Sequence, residues 1–136
     1  MSERRHEAIM PDSLPAEGAA PSNYSYGVRA GDTLHIAGMV AFAPDGSIVG
    51  EDGDIEAQIE QTFTNMKAVV EAAGGTMDDI VATTTYLVNT TDAPLVAQAR
   101  HRWFTGPIPP THTVVGVAAL GRPTLLVEIE ATAYLA

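Results

Sequence analysis

Between Asp54 and Ala73 the apolar residues Ile55, Ile59, Phe63, Met66, Val69, Val70 and Ala73 recur mostly at intervals of three and four. That spacing gathers one stripe along an α-helix. Asp54 is placed to cap it, and Gly74 to stop it. Elsewhere the pattern is that of strands. Asn23 to Val28 and Thr33 to Met39 flank the Gly31-Asp32 turn and predict a hairpin. Pro44 to Ser47 is a further turn. Ile80 to Val88 is rich in β-branched and aromatic residues and predicts another strand. Asp92 is a cap for a second helix that tolerates Pro94 in its first turn and gathers Leu95, Val96, Ala99 and Trp103 on one face. After a stiff connection over 106–110, strands are expected over about 112–119 and 124–135. The order β-β-α-β-α-β-β predicts an α+β fold, a single sheet with both helices on one face. Residues 1–21 contain Pro11, Pro15 and Pro21 and no periodicity. They are expected to form an extended arm, with order beginning near Asn23 and one domain over 22–136.

The closing strand carries the most informative chemistry. Alternation along Leu125 to Tyr134 puts Val127, Ile129, Ala131 and Ala133 on one side and Glu128 and Glu130 on the other. The apolar side belongs against the helices. If another subunit covers the acidic side, those carboxylates lie in a partly dry crevice, where their proton affinity rises toward a useful range.

Composition narrows the function classes. Seven Lys plus Arg against 17 Asp plus Glu give a formal net charge of -10. Clustered basic residues, which phosphate neutralisation needs, are missing, so no nucleic-acid or anionic-membrane partner is expected. Cysteine is absent, which rules out disulfides, thiolate catalysis and cysteine metal sites. Neither a secretory signal nor an apolar run of membrane-spanning length is evident. A cytoplasmic location is expected. His6, His35 and His101 have no metal-ligand spacing, and the acidic run Glu51-Asp52-Gly53-Asp54 lacks the ligand pattern of a cation loop. No metal and no cofactor are expected.

In order and spacing, several segments carry a resemblance. They are Asn23-Tyr24-Ser25, Leu34-His35-Ile36-Ala37-Gly38, the helix segment from Gln61 to Gly74, Asp79 to Leu87, Pro109-Pro110-Thr111-His112-Thr113-Val114-Val115-Gly116-Val117-Ala118-Ala119-Leu120, and Val127-Glu128-Ile129-Glu130-Ala131. Together they resemble the Rid family of reactive-intermediate (enamine/imine) deaminases, also called YjgF-like proteins. The resemblance covers nearly everything from residue 22 onward. It implies a chorismate-mutase-like domain assembled as a barrel-like homotrimer, with small-molecule clefts at the subunit junctions. It also implies site residues: Glu128 to activate water, Tyr24 to line the pocket or orient substrate, and Gly38, Thr113 and the backbone amide of Val114 to bind substrate. The arginine that grips a substrate carboxylate in the family falls here on His112.

That departure matters. Arginine is always charged and presents a planar fork, whereas an ordinary histidine is only about a quarter protonated at pH 7. Loss of a charged hydrogen bond weakens carboxylate binding by about one to two decades. A neighbouring Glu would raise the His112 pKa and restore some charge. Glu128, His112 and Tyr24 are therefore the candidate catalytic residues for acid–base hydrolysis of a small imine or enamine. Two alternatives remain: a ligand-binding regulatory trimer without turnover, and a pathway enzyme using the cleft for tautomerisation, cyclisation or another hydrolysis. The bland readings differ. Glu128 alone reads as a solvated strand residue, His112 as a hydrogen-bonded histidine at a junction, and Tyr24 as an ordinary core aromatic. Glu130 is expected to pair with Arg100, Arg102 or Arg122. Trp103 and Phe104 are expected to pack helix against sheet.

Overall fold

The computed structural model describes residues 5–16 and 22–136. Six strands form one sheet: β1 (His6–Ile9), β2 (Gly27–Ala30), β3 (Thr33–Met39), β4 (Ile80–Leu87), β5 (Thr111–Gly116) and β6 (Val127–Tyr134). Two helices, α1 (Ile55–Ala72) and α2 (Ala93–Trp103), pack on one face. In space the strands run β1-β2-β3-β6-β4-β5. All pairings are antiparallel except β4 with β5.

The sequence pattern needs one correction at its start. His6 to Ile9 lies within the expected arm, yet it is an edge strand in register with β2 from His6↔Ala30 to Ile9↔Gly27. Only Ile9 of the four is buried. Main-chain pairing holds this strand, so its side chains carry no periodic signature. Order thus begins before Asn23. Leu14 is buried, and the Tyr26 hydroxyl donates to the Pro15 carbonyl. The first predicted strand also shifts. Asn23 has φ of 55° and belongs to a turn, and pairing begins only at Gly27.

The helices form for the reasons their pattern implies. The Asp54 side chain accepts from the Ala57 N–H at 3.1 Å, and Gly74, at φ of 91°, ends α1. Ile59, Phe63, Met66, Val69 and Val70 of α1 are buried against Leu34, Ile36, Val127, Ile129 and Ala133 of the sheet. The start of α2 differs from expectation. Asp92 makes no side-chain cap. Asn89 instead accepts from the Thr91 N–H at 3.1 Å and opens a 3-10 turn, Thr90–Asp92. Asp92 already has helical angles (φ -82°, ψ -5°), and a capping residue needs an extended backbone to aim its side chain at the first amides.

Two buried amides on α1 fix the loops that lead to the sheet's chemistry. Gln58 donates to the carbonyls of Gly50 (3.1 Å) and Thr124 (2.8 Å) and accepts from the Leu126 N–H at 2.9 Å. It anchors the approach to β6. Asn65 donates to the carbonyls of Val40 and Phe42, each at 2.9 Å, and accepts from Gln61. It anchors the exit from β3. Each side chain satisfies main-chain groups that no strand pairs, which is why two polar residues lie in the apolar stripe of α1.

No helix of the described residues is long and apolar enough to cross a membrane.

Candidate functional site

Residues of β6 alternate as the sequence requires. Val127, Ile129, Ala131 and Ala133 are buried under the helices, while Glu128 is half-buried and Glu130 exposed on the open face. Glu128 lies opposite Tyr86 of β4. On its other flank, β3 breaks register between Ile36 and Met39, and Gly38 sits in that irregularity. A Cβ at Gly38 would come 2.1 Å from Glu128 Oε2. The missing side chain is therefore what makes room for the carboxylate. No hydrogen-bond donor among the described residues engages that carboxylate. Burial, and secondarily Glu130, push its pKa up.

Tyr24 joins this cluster. It packs edge-on to Tyr26, with ring centroids 5.7 Å apart, and remains 39% exposed. Its hydroxyl is held above the usual tyrosine range by burial and by Glu128, with Arg122 acting in the opposite direction. The pattern-based reading of Tyr24 as a core aromatic does not describe it. From the sequence, Arg122 is expected only as a partner for Glu130. It lies over the Phe42 ring, 5.5 Å from the centroid, and faces Tyr24 electrostatically. The available signal was slight: one of only seven basic residues, in a Gly-Arg-Pro turn six positions before Glu128.

The expected arginine partners of Glu130 are engaged elsewhere. Glu130 accepts from the Tyr86 hydroxyl at 2.6 Å. Arg102 pairs with Glu60, and Arg100 donates to Thr83 Oγ1 and the Pro110 carbonyl. Trp103 and Phe104 do pack as expected, both against Phe63.

His112 is the main surprise. It pairs in register with Thr83, a residue only 3% exposed that faces the helices. Paired residues of a ladder share a face, so His112 projects toward α2, whereas Glu128 projects to the opposite, open side. The two are not brought together within one chain. The electrostatics also run against expectation: burial and the nearby Arg100 lower the His112 pKa, so the imidazole is neutral at pH 7. A neighbouring carboxylate does not raise it. Thr113, opposite Thr84, shares the open face. Val117 donates its N–H to Leu87, which sets the alternation along β5. The main-chain groups of Val114 therefore point away from β4, to an edge that no described strand pairs. Val114 can offer its amide there.

The arrangement thus has two separate parts. Tyr24, Gly38 and Glu128 form one, with Arg122 at its flank. His112 and the β5 edge form the other.

Comparison with known proteins matches this chain over residues 16–135 to the family described as endoribonuclease L-PSP. A RutC family protein of Pyrococcus horikoshii is 38% identical over 112 residues, covering 82% of this chain and 86% of that one. A 2-iminobutanoate/2-iminopropanoate deaminase of Dermatophagoides farinae is 37% identical over 108 residues, or 79% of this chain and 81% of the other. Among solved structures, a Rid-family protein of unknown function from Yersinia pestis superposes with a TM-score of 0.86 at 33% identity, over 95% of this chain and 98% of its own. RidA from an Antarctic Psychrobacter does so with a TM-score of 0.84, also at 33% identity, over 94% and 98%. With a family match over nearly all of its length and the same mixed sheet backed by two helices, the chain belongs to the Rid/YjgF family, also described as the endoribonuclease L-PSP family.

Proposed function

We propose that three copies of this chain associate through the open face of the sheet and the free β5 edge, and that they hydrolyse a small imine or enamine at each junction. There β5 of one protomer meets the Tyr24–Gly38–Glu128 cluster of the next. The observation that carries this reading is Glu128. It is a half-buried carboxylate that no hydrogen-bond donor among the described residues engages, raised in pKa, in a space kept open by a glycine. A carboxylate whose proton affinity is raised by burial is a better general base than an exposed one. The activity for which the Dermatophagoides relative is named, imine deamination, agrees with it.

The chemistry balances with these groups alone. A water oxygen bonds to the imine carbon as Glu128 takes its proton, and the C=N π pair goes to nitrogen. Glu128 returns that proton to nitrogen to give the carbinolamine; the hydroxyl proton then follows to nitrogen, and the C–N bond breaks with its electron pair to leave a carbonyl and ammonia. Tyr24, kept protonated by its surroundings, donates to the substrate. The neutral His112 relays a proton between water and nitrogen. An enamine enters the same route after protonation at carbon. The net charge of -10 speaks against RNA as the substrate, despite the family description.

A neutral His112 also supports a second reading, a trimer that binds a ligand without turning it over. Ammonia release from freshly generated imines separates the two. Glu128→Gln should slow release by roughly 10²–10⁴-fold. Equal rates would take Glu128 out of the mechanism. Ligand-induced stabilisation without any Glu128-dependent turnover would establish the binder instead.

A further inference from the structure

On the open face of the sheet a phenol stands beside the two acids of β6. Thr83, Thr85 and Leu87 of β4 are buried under the helices, so Tyr86 alternates to the side that carries Glu128 and Glu130. It lies directly opposite Glu128 in the antiparallel ladder, whereas Glu130 lies opposite Thr84. Facing residues of such a ladder have Cβ atoms about 4.5–5.5 Å apart, and diagonal neighbours stay within reach of an aromatic side chain. Tyr86 takes the diagonal: its hydroxyl donates to Glu130 Oε1 at 2.6 Å. The route straight across, to Glu128, is not used. The Glu128 carboxylate rests instead over Gly38, on the β3 flank, where a Cβ would stand 2.1 Å from Oε2. A phenol has one proton and serves one carboxylate at a time. The bond to Glu130 is the first cause that raises the Tyr86 pKa, and the Glu128 charge acts on the same hydroxyl. Two acids thus contend for one donor. If Glu128 held it, its charged form would be stabilised and its strength as a base would fall.

We infer that Glu130 is a positioning residue: by accepting the Tyr86 hydroxyl it keeps that donor away from Glu128 and leaves the Glu128 carboxylate unbonded. Gly38 on one flank gives the carboxylate room, and Glu130 on the other restrains the one group opposite it that could neutralise its use. The inference deepens the hydrolase reading and rests on it for one point only, that Glu128 is the base whose strength is protected.

The side-chain carboxyl 13C signal of Glu128, identified by its loss in Glu128→Gln, reads its proton affinity in a pH titration. Glu130→Ala releases the hydroxyl and should lower that affinity by about ten- to a hundredfold, the worth of one hydrogen bond to a charged group. Imine turnover should slow with it. Removing the Glu130 charge also lowers the affinity, so the deciding comparison is made without the hydroxyl. In a Tyr86→Phe background the same Glu130→Ala change should have an effect at least about tenfold smaller. Equal effects in the two backgrounds would overturn the inference, because Glu130 would then act through its charge alone. Where Glu130→Ala does not fold, Glu130→Gln takes its place, since a neutral amide oxygen holds a phenol less tightly than a carboxylate does. The expected pair of titrations without imine turnover would leave this assignment standing and remove the hydrolase. Turnover that depends on Glu128, with equal effects in the two backgrounds, would do the reverse.

Discussion

Replacing Gly38 by alanine is the sharpest probe of the cluster, because structure separates its effect on the site from its effect on folding. The new Cβ would stand 2.1 Å from Glu128 Oε2, 2.7 Å from Cδ and 3.0 Å from Cγ. Ordinary contact begins near 3.4 Å, so the carboxylate oxygen must withdraw by roughly 1.3 Å. It belongs to the end of a flexible side chain on the open face, which can swing away at a cost of about 0.5–1.5 kcal/mol. Gly38 is not among the glycines with positive φ, so alanine meets no backbone penalty there. It also narrows the unfolded ensemble by about 0.4–1 kcal/mol. The terms nearly cancel, and stability should change by less than about 1 kcal/mol. Activity should not survive: misplacing a reacting group by about 1 Å costs on the order of 10²-fold. Urea denaturation and ammonia release from freshly generated imines read the two quantities on one preparation. Full activity in Gly38→Ala would show that the Glu128 position seen here is not the working one. A stability loss above about 3 kcal/mol would show that the carboxylate is locked, against the argument above.

Two further outcomes follow from the same geometry. Gln58→Leu strands the Thr124 carbonyl and the Leu126 N–H, while the Gly50 carbonyl keeps its bonds from Gly53 and Asp54; at about 1–3 kcal/mol per stranded group, partly relieved by water, a loss of at least about 2 kcal/mol is expected in urea melts, and a neutral result would mean the loops repair themselves. Glu128 has a folded-state pKa above its unfolded value, so the folded chain binds the extra proton and stability falls as pH rises through that window. Glu128→Gln should therefore melt higher than the parent at pH 7, with the gap closing below the ordinary carboxylate range; a constant gap across pH would contradict the assigned burial.

Much of the fold was legible because burial imposes a period. The α1 stripe, the Asp54 cap and the in–out alternation of β6 each reflect a single local rule. What escaped were features decided by partners distant in sequence. The strand at His6–Ile9 exists because β2 offers main-chain groups, and nothing in its side chains announces it. Asn89 took the capping role from Asp92 through one extra 3-10 turn. At the site, the spacing of Glu128 and Glu130 was enough to place both acids, but not to find their neighbours. Tyr86 rather than an arginine meets Glu130, and Arg122 enters from a loop. The side of the sheet taken by His112 depends on its registration with Thr83, a contact 29 positions away that periodicity within a six-residue edge strand does not encode.

The single parallel pairing, between β4 and β5, has a genetic consequence. With His112 in register with Thr83 and turned away from Glu128, each chain of the proposed trimer would carry two half-sites that belong to different junctions. Two inactive alleles, one damaged at position 128 and the other at 112, would then rescue each other when co-expressed, since some mixed rings contain a junction with both residues intact. Inheritance of activity would follow the pairing of subunits rather than the integrity of any one polypeptide.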